Sequence, residues 1–70
     1  MIRLNNIEQF QIHCLESYKD MKKITGKKAL TDFLTYGVFD YLNAGFEVLH
    51  TQSLDYVING IQDFIDRRRK

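Results

Sequence analysis

The sequence predicts an all-α fold, a small single-domain bundle of three to four short helices over residues 1–70. Three observations carry that expectation. Apolar residues recur three and four apart along the whole chain, and no stretch alternates as a half-buried strand would. There is no proline, and the four glycines, Gly26, Gly37, Gly45 and Gly60, punctuate the pattern. Residues suited to capping a helix, Asn5, Thr25 and Thr51 or Ser53, stand just before apolar-periodic segments.

The first helix is expected over about Asn5 to Ile24. Asn5 and Glu8 have capping-box spacing, in which each side chain satisfies a backbone N–H of the other. Ile7, Phe10, Cys14, Tyr18 and Met21 fall on one stripe with Leu15 beside it, and Gln9, His13, Glu16 and Asp20 fall opposite. After the break at "ITGKK", Thr25 is a plausible N-cap for a short second helix from about Lys27 to Tyr36. Ala29, Leu30, Phe33 and Leu34 form its apolar face. Gly37 suits the left-handed position that ends many helices. Phe39, Leu42, Phe46 and Leu49 continue at helical spacing, but Gly45 interrupts them, so residues 38–52 read either as one helix or as a turn and an irregular strap. The last helix is the clearest. Asp55 and Arg67 to Arg69 suit the two ends of its dipole. Leu54, Val57, Ile58, Ile61 and Ile65 make its stripe, with Phe64 at the edge. Gly60, in line with Tyr56 and Asp63, costs about 1 kcal/mol against alanine. It marks either a close approach of a second backbone or a tolerant position.

Composition narrows the function. A chain of 70 residues with 44% hydrophobic and 27% charged residues is globular and close to the lower size limit for a single core. A homodimer or an obligate partner is therefore an expectation. One cysteine rules out an internal disulfide framework. No apolar run approaches the ~20 residues of a membrane span, and "MIRLNNIEQF" has no signal-peptide core. A cytoplasmic protein is expected. The net charge is +1, unevenly spread. Cations cluster at Lys19, Lys22, Lys23, Lys27 and Lys28 and in the tail "RRRK", with Arg3 alone. Between Ala29 and Asp66 there is no Lys or Arg, only Asp32, Asp40, Glu47, Asp55, Asp63 and Asp66. That acidic middle attracts cationic partners and repels phosphate.

Motifs for chemistry are sparse. His13 and Cys14 point about 100° apart on one helix, and no second cysteine or HxxxH completes a metal site. Cys14 on the apolar stripe reads as an inert thiol rather than a nucleophile paired with His50. "TGKK" lacks the spacing of a phosphate loop, and Lys28 stands where Ser or Thr would hold Mg²⁺. No cofactor and no enzymatic activity are expected. A helix-turn-helix regulator using Lys22, Lys23, Lys27, Lys28 and the tail is an alternative. The acidic central helices argue against nucleic acid as the partner. A self-associating structural domain with an aromatic seam is a third reading.

The stretch "YGVFDYLNAGFEVLHTQS" has two readings that can hold together. In one, Phe39, Leu42, Phe46 and Leu49 are core, and His50 and Gln52 pin a turn. In the other, Tyr36, Tyr41 and Tyr56 with Asp40, Glu47 and Asp55 make a tyrosine-rich, acid-rimmed protein-binding face. The residues expected at that face are Tyr36, Asp40, Tyr41, Glu47, His50 and Gln52.

The pattern Thr25-Gly26-Lys27, Tyr36-Gly37, Asp40-Tyr41-Leu42 and Leu49-His50-Thr51-Gln52, followed by Ile58, Ile61, Asp63, Phe64 and Ile65, resembles a bacterial family known as domain of unknown function 3791. Ser53 stands where that pattern has glycine, and Lys28 where it has an acidic residue. The resemblance implies a small helical protein. It also implies genes that often lie beside a family resembling ADP-ribosyltransferases, domain of unknown function 3990. That setting suits an antitoxin-like or accessory partner whose acidic face occludes a basic NAD-binding cleft.

Overall fold

The computed structural model describes residues 5–69, so residues 1–4 of the N-terminal stretch, Arg3 among them, and Lys70 of the tail lie outside the description. Four helices follow one another: α1 (Asn6–Lys22), α2 (Gly26–Thr35), α3 (Val38–Leu49) and α4 (Leu54–Arg68). α1 and α3 pack against every other helix, and α2 and α4 meet the core mainly through them. None of these helices is long and apolar enough to cross a membrane.

The helix starts follow the side-chain chemistry. Asn5 Oδ1 accepts from Glu8 N–H at 2.8 Å, and Glu8 Oε1 accepts from Asn5 N–H at 3.1 Å, completing the capping box. Thr25 Oγ1 accepts from Lys28 N–H at 3.1 Å, and Ser53, not Thr51, caps α4 through Tyr56 N–H at 3.2 Å. α1 stops two residues short of Ile24. Lys23 turns left-handed at φ 57°, and its N–H reaches the carbonyls of Asp20 and Lys19. Gly37 takes φ 70° with nothing within 4 Å of its missing Cβ. Its backbone angle, not crowding, therefore demands glycine there. α2 and α3 are joined through that residue alone after the Tyr36 cap. α3 runs unbroken through Gly45, where an added Cβ would lie 2.9 Å from Leu49 Cδ1. The bare position makes room for a core leucine one turn on, so there is no irregular strap before Leu49.

The core joins Cys14 and Tyr18 of α1, Ala29 and Phe33 of α2, Val38, Leu42 and Leu49 of α3, and Val57, Ile58, Ile61 and Ile65 of α4. Full burial of each large aliphatic side chain contributes roughly 1.5–3 kcal/mol. Edge-on rings tie α1, α2 and α3 together: Phe33 meets Phe39 at 5.3 Å and 73°, and Phe10 meets Phe46 at 5.5 Å and 73°. Phe39 flanks the core and Phe46 is half-buried, so neither sits fully inside it.

Three expectations are corrected. Met21 is exposed. The left-handed turn at Lys23 folds the chain back, and Ile24 packs on the core in its place. Leu30 and Leu34 face outward, the latter 64% exposed, because the inner face of α2 is centred on Ala29, Asp32 and Phe33. Asp32, counted above as part of an acidic surface, is only 5% exposed. Its Oδ2 accepts from the hydroxyl of fully buried Tyr18 at 3.2 Å, and its Oδ1 accepts from Lys28 Nζ at 2.8 Å. A buried carboxylate without partners would be strongly unfavourable; here both oxygens are engaged.

Burial first, then the Asp32 charge and hydrogen bond, push the Tyr18 phenol up to about 12, and burial pushes the Cys14 thiol up to about 11. The unfolded chain ionises these groups near 10.0 and 9.0. Above those values the unfolded chain has released protons that the folded chain keeps. Stability is therefore whole below about pH 9 and falls as pH rises toward 12. Tyr18→Phe is expected to cost about 1.5–3 kcal/mol in urea denaturation at neutral pH, the value of a hydrogen bond to a charged group. It should also remove the Tyr18 share of the alkaline loss, leaving that of Cys14. An unchanged urea midpoint would show that the bond does not hold α1 to α2.

Candidate functional site

The six residues expected at a binding face are not brought to one place. Asp40 and Glu47 share the outer side of α3, both exposed, while Tyr41 is half-buried and turns about 100° away toward α4. Tyr36 lies at the end of α2, half-buried, with the Arg69 guanidinium 6.0 Å from its ring centre. His50 stacks on Phe46 at 4.6 Å and 15°, and Phe46 in turn meets Phe10 of α1. The His50 Nδ1–H donates to the Phe46 carbonyl at 2.6 Å, and Thr51 Oγ1 donates to Val48 O at 2.7 Å. Both carbonyls also accept a backbone N–H, Phe46 O from His50 at 3.0 Å and Val48 O from Thr51 at 3.2 Å, so the two side chains add a second bond to each at the C-terminal turn of α3. Gln52 is exposed in the following turn, its backbone N–H donating to Leu49 O at 3.1 Å.

Tyr41 organises the surface on the other side. Its ring stacks on Phe64 of α4 at 4.5 Å and 26°, and its hydroxyl lies 3.1 Å from where a Cβ on Gly60 would stand. A side chain, not a second backbone, makes the close approach at Gly60. Burial raises the Tyr41 phenol, with nearby Tyr56 and Asp63 adding to the shift. Tyr41, Gly60, Asp63, Phe64 and Arg67 line a half-open cleft of about 230 Å³. That is smaller than the ~300–1,000 Å³ of small-molecule pockets, and it suits one inserted side chain. The Arg68 guanidinium covers Phe64 at 4.4 Å.

From Tyr41 the surface continues along α3 through Ala44 to Val48, at helical spacings that keep them on one face. On α4 Tyr56 lies one turn before Gly60. Val48 is 64% exposed and Tyr56 60% exposed, an apolar and aromatic strip along an antiparallel helix pair. Of its members, Tyr41, Tyr56, Asp40 and Glu47 are legible in the sequence. Val48, Asp63, Phe64 and Arg67 are not, because their place depends on the register of α3 against α4. The alignment of Gly60 with Tyr56 and Asp63 was the one available signal.

The other chemistry-bearing groups are occupied or dispersed. Cys14 is fully buried, and its raised pKa keeps the thiol protonated at neutral pH. Among the described residues, no group of three or more His, Cys, Asp or Glu converges where it could hold a metal ion. In the basic turn, Lys28 is bound to Asp32, and Lys19 lies 3.3 Å from Asp20 and 3.7 Å from Glu16. Lys22, Lys23 and Lys27 are exposed.

The Tyr41–Gly60 contact has a measurable signature. Gly60→Ala gains about 1 kcal/mol of helix propensity but presses a methyl against the Tyr41 hydroxyl. It is expected to be close to neutral in the native background. In a Tyr41→Phe background the same change should stabilise by about 1 kcal/mol. Equal effects in both backgrounds, measured by thermal and urea denaturation, would mean that the hydroxyl does not restrict the site.

A search of curated proteins and a search of solved structures each return no match to this chain. A family model described as "Protein of unknown function (DUF3791)" matches residues 9–68, spanning all four helices almost completely, and the chain belongs to that family.

Proposed function

We propose that this chain is a non-enzymatic protein-interaction module whose contact face is the outer surface of α3 and α4 around Tyr41. The observation that carries the reading is the exposed Val48 and Tyr56 beside the Tyr41–Phe64 stack, with carboxylates at the edge. Rigid tyrosines over a small cleft are the kind of anchor on which binding energy concentrates. The narrower reading is an antitoxin-like or accessory partner of an ADP-ribosyltransferase-like protein, acting in a bacterial cytoplasm. Its support is the setting that the family resemblance implies, together with an acidic face able to cover a basic cleft.

The test is a binding titration between the full chain and an ADP-ribosyltransferase-like protein of the kind that the resemblance implies. Tyr56→Ala is the cleaner variant, because that ring is mostly exposed and its loss leaves the core intact. Tyr56→Ala and Tyr41→Ala are each expected to weaken binding at least ~tenfold, the range of interface hot spots. Leu34→Ala, on the outer side of α2, should leave it unchanged. Full affinity in both tyrosine variants would remove the proposed face. Absence of any complex would retire the transferase-like partner.

A further inference from the structure

We draw no further inference here: the strongest candidate, the half-open cleft that Tyr41, Gly60, Asp63, Phe64 and Arg67 line between α3 and α4, belongs to the face already described, and nothing in the structure shows what covers it.

Discussion

One buried carboxylate sets the arrangement of the bundle. Asp32 sits among apolar side chains with one oxygen on the Tyr18 hydroxyl and the other on Lys28. Such a group is tolerated only where both oxygens are satisfied, and the geometry that satisfies them is narrow. It fixes the rotation of α2 against α1, places Phe33 beside Tyr18 at 5.3 Å, and turns Leu30 and Leu34 outward. An apolar residue at position 32 would pack without that restriction. The polar contact thus selects one packing among several that the hydrophobic pattern allows.

The consequences run through the rest of the chain. With α2 set by Asp32, Phe33 meets Phe39 and anchors the start of α3, while Gly37 supplies the sharp reversal between the two helices. α3 then lies with Leu42 and Leu49 inward, and Tyr41, about 100° round the helix from Leu42, is left beside α4. The Tyr41–Phe64 stack joins those two helices at the surface without filling the space beyond it. Burial is used up on one side of α3, and an aromatic strip with unpaired carboxylates remains on the other. The protein-interaction reading depends on that asymmetry rather than on any reactive group.

Most of the fold was legible in the sequence because its signals are local. The Asn5–Glu8 box, the Thr25 cap, the Gly37 reversal and the α4 stripe each depend on residues within a few positions of one another, and the structure places them as read. What was not legible depends on distant neighbours. Asp32 looked like one more surface acid, because nothing near it in sequence shows that Tyr18 reaches it. Gly45 leaves one helix or a broken one open in the sequence, because the room it makes for Leu49 appears only once the helix is formed. The same limit divides the candidate site. Asp40 and Glu47, seven residues apart, share a helix face that periodicity predicts, and Tyr41 lies about 100° round from it. The grouping of Tyr41 with Gly60, Asp63 and Arg67 requires the register of two helices. His50 and Tyr36 carry residue types suited to recognition, but their rings are engaged by Phe46 and Arg69.

The central claim is that α1 and α2 form the scaffold and the outer side of α3 and α4 makes the contact. Hydrogen exchange, followed residue by residue on the free chain and on its complex with the native partner, tests this most directly. Added protection is expected to concentrate within residues 41–48 and 56–67, with the exchange of α1 and α2 unchanged. Protection gained instead at the Lys22–Lys28 turn or along the Leu30–Leu34 side of α2 would contradict it and move the binding site to the opposite part of the bundle.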